Sequence, residues 1–237
     1  MEFQRARNDE QRDQRRRLIL ETAAGMLAEM PVADLSLNEL SRQVGLAKSN
    51  VLRYFETREA ILLELLSAEL RIWAEAFESL PLAAGAAQRQ RIDHLARLVS
   101  DSLAQRPLLC DLASAQAAVL ERNVSTAVVL AHKLAVREVV ERLAETFRRH
   151  LPELTRDDAL QAISVALLMT AAAWPHSTPA PAVLAAYEAE PRLAELHPGF
   201  ADYIGGTLQA FLSGLLARKA DSDIVIADQR PWPVART

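Results

Sequence analysis

Residues 36–59 read SLNELSRQVGLAKSNVLRYFETRE, and no other part of the chain restricts the fold as tightly. Ser36 and Glu39 stand three apart, the spacing of a capping box. The serine oxygen can accept from the N–H of Glu39 while the glutamate reaches back to the N–H of Ser36. That spacing predicts a helix starting at about Leu37, with Leu37, Leu40, Ser41 and Val44 on one small or apolar face. Gly45 follows Val44, where a helix end favours a residue tolerant of positive φ. Leu46 can fill the angle to a second helix running from Ala47 or Lys48 to Phe55. Val51, Leu52 and Phe55 give that helix an inner face and leave Lys48, Ser49, Asn50, Arg53 and Tyr54 outside. Thr57 can cap a third helix from Arg58. Two short helices across a tight turn, the second basic, are the plan of a helix-turn-helix DNA reader.

Local charge agrees with that plan. From Leu40 to Phe55 there are three cations, Arg42, Lys48 and Arg53, and no acid. The whole chain, at −4, carries no such signal, so the phosphate footprint is local.

GLAKSNVLRYFETREAIL also resembles the DNA-binding signature of the tetracycline-repressor (TetR) family of transcriptional regulators. In that pattern a glycine-led turn opens the recognition helix, an aromatic pair closes it, and a basic residue followed by glutamate begins the next helix. Gly45, Lys48, Tyr54, Phe55, Arg58 and Glu59 match, and the resemblance covers roughly residues 12–66. Two positions depart from it. Leu52 stands where the family often has a phosphate-touching tyrosine, and Arg53 where histidine is common, so base preference does not carry over.

Chemistry and resemblance together give an expected DNA-binding set of Ser36, Arg42, Lys48, Ser49, Asn50, Arg53, Tyr54 and Arg58. Lys48 should meet a phosphate or a guanine edge. Ser49 and Asn50 are short polar groups able to reach base edges in the major groove. Arg53 could be bidentate to guanine or clamp a phosphate. Tyr54 and Arg58 should hold the backbone, helped by N–H groups where the helices at Ser36 and Thr57 begin. The arm EFQRARNDEQRDQRRR has little to bury; it reads as solvated and disordered, with a reach to phosphates or a minor groove as the alternative. The first helix is expected from about Gln14 to Met30.

The rest of the 237 residues reads as helices. Glycine is scarce, and DIVIA near the end is the only short strand-like run. All-α is the expected class: an N-terminal three-helix helix-turn-helix domain plus a larger C-terminal helical domain for ligand binding and dimerisation. The expected boundaries are 1–57 for the arm and DNA-binding domain, 58–219 for the effector and dimerisation domain, and 220–237 for a loose tail. Helices are expected at Arg58–Leu80, Arg89–Gln105, Pro107–Glu121, Ser125–Leu151, Arg156–Ala173 and Pro198–Lys219, with AVLAAYEAE as a short helix inside a proline-rich loop.

Gly206, Ala210 and Gly214 form a small-residue stripe at steps of four, with Phe211 beside it. With Ile163, Leu167 and Thr170 they form the expected homodimer interface. The resemblance implies the same, since the family's matching C-terminal helices build a four-helix dimer bundle. Two recognition helices about 34 Å apart are what a palindromic operator requires. The resemblance further implies a small-molecule effector bound in the second domain. Candidate lining residues are Trp73, Phe77, Cys110, Gln116, His132, Met169 and Trp174, each of which also fits ordinary core packing. Gln116 and His132 stand out as polar groups in otherwise apolar helices.

Catalysis finds no support in the sequence. The five histidines fall in no metal-ligand spacing, and there is no GxSxG, P-loop or Rossmann glycine string. The single cysteine, Cys110, excludes an internal disulfide. No cofactor or metal is expected. No run reaches 18 apolar residues, so neither a membrane span nor a membrane partner is expected, and a cytoplasmic location fits. The function read from the sequence is a ligand-responsive regulator, a repressor by family habit, which binds double-stranded operator DNA as a dimer. The alternative is a helical dimeric DNA-binding module without an effector.

Overall fold

A 21-residue helix, α4 (Arg58–Glu78), is the element on which the others are assembled. The computed structural model describes residues 2–83, 85–196 and 199–220. Ten α-helices and no strand are found among them: α1 (Glu2–Leu27), α2 (Leu37–Val44), α3 (Lys48–Val51), α4, α5 (Gln88–Ala104), α6 (Pro107–Ala115), α7 (Thr126–His150), α8 (Arg156–Ser177), α9 (Pro181–Ala189) and α10 (Phe200–Ala220). The expected tail at 220–237, DIVIA included, lies outside the described residues from Asp221 onward.

Helix α4 buries Ile61, Leu62, Leu65, Leu66, Trp73 and Phe77, and packs against α1, α5, α6 and α7. A fully buried side chain of this size contributes roughly 1.5–3 kcal/mol, so α4 is the main hydrophobic axis. Helix α1 lays Ile19, Ala23, Met26 and Leu27 onto the same core. Trp73, Phe77 and Phe147 form an aromatic chain, with centroids 5.8 and 6.0 Å apart. The Trp73 indole N–H donates to Ser102 Oγ at 3.0 Å, which joins α4 to α5. Arg142 of α7 grips Glu78 with two nitrogens, at 2.9 and 3.1 Å.

The helices differ from expectation in four places. Helix α1 starts at Glu2, because Glu, Gln, Arg and Ala are strong helix formers and no Pro or Gly interrupts them before Gly25. The arm is therefore helical rather than disordered, and α1 stops at Leu27 instead of Met30. Helix α6 ends at Ala115, and the chain turns through residues 116–119 into a 3-10 turn, Leu120–Arg122. That turn lets Gln116 reach Glu121 at 2.6 Å and His132 at 3.1 Å. Helix α8 continues past Ala173 through Pro175 to Ser177. Ser177 and Thr178 donate their hydroxyls to the carbonyl of Trp174, at 2.7 and 3.2 Å, where the helix pattern ends.

The fourth difference is that one helix, α8, meets the length and composition of a membrane span. At 22 residues it is long and apolar enough to cross a membrane by length and composition, although the apolar run in the sequence is shorter. It begins with Arg156, Asp157 and Asp158 under a Thr155 cap, and it packs against α6, α7 and α10. Only 28% of its most apolar window is buried within the single chain, and Leu168 is 66% exposed. Helix α9, the short helix expected in the proline-rich loop, buries no side chain.

His150 closes α7 against Phe77, with ring centroids 6.1 Å apart, and its Nε2 is buried with no hydrogen-bond partner. Burial, then His94 and Arg149, pushes this imidazole down to about 4. In the unfolded chain it titrates near about 6.5. Between those values the unfolded chain holds a proton that the folded chain does not. Stability is therefore intact above about pH 6.5 and drains away as pH falls toward about 4. The melting temperature of the wild type should fall across that window, and His150→Phe should fall less. Identical pH profiles for the two would contradict this assignment.

Candidate nucleic-acid interface

The capping box holds: Ser36 Oγ accepts from Glu39 N at 3.1 Å. Gly45 sits at φ 72°, ψ 28° and ends α2, donating its N–H to Arg42 O at 3.1 Å. A side chain at that φ costs roughly 1 kcal/mol or more, which is the physical reason for glycine at the turn. Leu46 N donates to Ser41 O at 2.9 Å and completes the helix end.

Helix α3 is shorter than the sequence predicts. Its α-helical part is Lys48–Val51, and the chain continues in tightened turns to Phe55, with Arg53 N on Asn50 O at 3.2 Å and Phe55 N on Val51 O at 3.1 Å. The inner face is as expected for Val51 and Phe55, both buried. Leu52 is 40% exposed and belongs to the outer surface instead. Lys48, Ser49, Asn50 and Arg53 are exposed, and Tyr54 is half-buried.

Three members of the expected DNA-binding set are engaged within the chain. Arg42 pairs with Glu39 one turn away. Ser36 commits its hydroxyl to the cap. Arg58 donates to Leu35 O at 2.8 Å and Ala33 O at 3.4 Å, and meets Glu59 at 3.2 Å. Arg58 therefore latches the loop before α2 to the start of α4, its guanidinium engaged by the carbonyls of Leu35 and Ala33.

The sequence reading missed the residues that hold α3 in place. Arg16 donates to the carbonyl of Tyr54, pairs with Glu64 of α4, and lies 4.3 Å over the ring of Phe55. Glu56 accepts from the N–H of Ser125, the N-cap of α7. Asp111 of α6 accepts from Val32 N at 2.8 Å. Only the run of three arginines hinted at Arg16, and nothing distinguished it from Arg15 or Arg17. The helical arm also places Arg12 and Arg15 beside Arg53 and Tyr54, along one open groove.

The candidate effector residues do not line one pocket. Trp73, Phe77 and Cys110 are 1% exposed or less and form core. The Cys110 thiol lies 3.4 Å from Leu103 O, and burial, reinforced by Asp111, pushes it up to about 12, so it stays protonated. Met169 and Trp174 pack toward α10: Trp174 meets Phe200 edge-on at 5.2 Å, and Tyr203 Oη lies 4.0 Å from Met169 Sδ. Gln116 and His132 do come together, at 3.1 Å, and Ser67 completes the group at 2.8 Å from His132 Nδ1. Ser67 donates to Leu63 O. It therefore accepts from Nδ1–H while Gln116 donates to Nε2, a neutral tautomer. Burial, then Lys133, holds this imidazole below its usual range, against an opposing pull from Glu121.

The interface candidates divide likewise. Gly206, Ala210 and Gly214 are exposed, and Leu167 and Phe211 are half-buried. Ile163 and Thr170 are buried within the chain, at 0% and 1% exposure, so they offer no surface to a partner. Leu168, which the periodicity did not single out, is an exposed large apolar residue of α8. The glycine that permits close helix packing is Gly205, where an added Cβ would lie 3.2 Å from Ser100 Oγ of α5; at Gly206 it would meet nothing within 4 Å.

Such an exposed, acid-free second helix on a capped first helix, followed by a long helical body, defines a helix-turn-helix DNA-binding regulator. Residues 19–65 match the profile of the bacterial regulatory proteins of the tetR family, and residues 67–219 match the tetracyclin repressor-like C-terminal domain. The chain belongs to the TetR family of transcriptional regulators, which are not enzymes. It is 39% identical over 54 residues to the HTH-type transcriptional regulator EthR of Mycobacterium tuberculosis and of Mycobacterium bovis. That match spans 23% of this chain and 25% of those relatives. A crystal structure of a TetR transcriptional regulator from Rhodococcus sp. RHA1 aligns over 86% of this chain and 97% of its own, with a TM-score of 0.52 and 13% identity, a likeness of fold.

If Arg12 and Arg15 meet phosphates, each adds a counterion-releasing contact. The double variant Arg12→Ala/Arg15→Ala should reduce the salt slope of DNA binding by about two per protomer. Fluorescence anisotropy at several salt concentrations measures this, and an unchanged slope would remove the arm from the interface.

Proposed function

We propose that the chain is a repressor that binds a palindromic operator as a homodimer and is released by a small-molecule effector. The observation that carries the DNA half of this reading is the exposed edge from Lys48 to Tyr54, free of acids and backed by Arg16. Ser49 and Asn50 read base edges there, Lys48 and Arg53 take phosphate or guanine, and the half-buried Tyr54 steadies the backbone. In this reading residues 1–57 are the reading domain, 58–219 the effector and dimerisation domain, and 220–237 a tail.

Dimerisation draws support from α8 and α10. Leu168 at 66% exposure and the open stripe Gly206–Ala210–Gly214 are an apolar and small-residue surface that a second copy can cover. Release by an effector needs only a ligand that prefers the arrangement of the two reading heads unable to fit the operator. A second reading, a dimeric DNA-binding module without an effector, has one observation in its favour: Trp73, Phe77 and Cys110 are packed as solid core.

Selection of bound sequences from random DNA tests the reading. A two-fold symmetric site should emerge. Asn50→Ala should lose about 1–3 kcal/mol of discrimination at one base pair per half-site; parallel loss at every position would remove Asn50 from base readout. Leu168→Asp should shift sedimentation toward the monomer and weaken operator binding with it. A Leu168→Asp protein that remains dimeric would place the interface elsewhere.

A further inference from the structure

Between the reading head and the body lies a cleft of about 430 Å³, open on one side, that none of the DNA-binding chemistry uses. Its volume falls within the usual range for small-molecule sites, about 300–1,000 Å³. One wall is α4, the other is α7, and its head end is closed by Arg16 and Phe55. The α7 wall presents Val128, Ala131 and Ala135, small side chains that leave a slot beside Leu63. The floor is polar but satisfied: His132 and Ser67 are 4% and 6% exposed and bonded to each other. An occupant therefore finds no loose donor there, only the apolar sides of the open cleft.

The charges at its two ends differ in one respect. At the head end Arg16 and Glu64 are spent on each other and on the Tyr54 carbonyl, and Glu56 is spent on Ser125 N. At the other end stands Arg71. Its Nε donates to Ser67 O at 3.2 Å, which anchors the guanidinium at the lip of the cleft. Among the described residues nothing meets its two terminal nitrogens, and no carboxylate pairs with it. Glu64 and Arg71 lie on one side of α4, seven residues and so roughly 10 Å apart along the axis. A guanidinium with a free edge, beside a cleft whose sides over that length include Leu63, Val128, Ala131 and Ala135, suits a planar anion followed by a short hydrocarbon tail.

We propose that this cleft is the effector site and that its ligand is a medium-chain monocarboxylate, its carboxylate on Arg71 and its tail along Leu63 and Ala131 toward Phe55. This rests on the reading of the chain as an effector-controlled repressor and gives that effector a chemical class and a place. A tail reaching Phe55 presses on the ring that Arg16 covers, and so on the end of the recognition helix. The ligand acts as a wedge between reader and body.

Titration calorimetry of the full chain with octanoate and octanamide tests this, with operator affinity measured on the same samples. Octanoate should bind and octanamide should bind at least about ten-fold more weakly. Arg71→Gln should lose about ten-fold or more in octanoate affinity, Arg71→Lys should keep most of it, and Ala131→Phe should block it. Operator affinity without ligand should be the same for all three variants, which also shows that they fold. Octanoate added to the wild type should release the operator. Absence of octanoate binding, equal binding of the amide, or full affinity in Arg71→Gln would overturn the proposed site while leaving the DNA reading intact. Arg71-dependent binding that leaves operator affinity unmoved would uphold the carboxylate site and overturn release by an effector. Loss of operator binding by the unliganded wild type would sink the regulator reading itself.

Discussion

The guanidinium of Arg16 is the contact on which the reading head depends. Helix α3 has only four α-helical residues, far too few to persist by its own hydrogen bonds. Its shape must come from what it packs on. Val51 and Phe55 supply the buried side, and Arg16 supplies the lid: one planar cation covers the Phe55 ring, takes the Tyr54 carbonyl at the end of the last turn, and closes on Glu64 of α4. The pair with Glu64 is part-buried, and a cation–π contact of this kind is worth about 0.5–2 kcal/mol. The exposed residues Lys48, Ser49, Asn50 and Arg53 inherit their positions from that arrangement.

The same head is tied to the body at three further points. Arg58 holds the loop before α2, Asp111 of α6 holds Val32, and Glu56 meets the cap of α7. Each joins backbone on one side to a charged side chain on the other. This gives mechanical content to the idea of a switchable reader. In the proposed switch, the ligand acts by altering the spacing of α4 and α7.

Much of the head was legible in the sequence because its signals are local. The Ser36–Glu39 cap, the left-handed Gly45 and the buried Val51 and Phe55 each follow from residues within one or two turns of each other. What the sequence could not show is which neighbour covers a given face. Ile163 and Leu168 lie five residues apart on one apolar helix; packing against the rest of the body buries the first and exposes the second. Gly205 and Gly206 are adjacent, yet only Gly205 faces α5. Trp73, Phe77 and Cys110 were reasonable pocket residues by type, but a side chain that can line a cavity can equally fill one. Arg58 matched the family signature, and its role as a latch depended on carbonyls 23 and 25 positions away. The early start of α1 follows from helix propensity, which prevails there although the arm has little to bury.

Hydrogen exchange with operator titration, on the wild type and Arg16→Met, tests the central claim most directly. Methionine keeps much of the apolar stem over Phe55 while removing the charge and its donors. The account predicts faster exchange across residues 47–56, unchanged protection in α7, and weaker operator binding. An Arg16→Met protein with unchanged exchange in that segment and full operator affinity would contradict the claim that this one side chain sets the geometry of the reader.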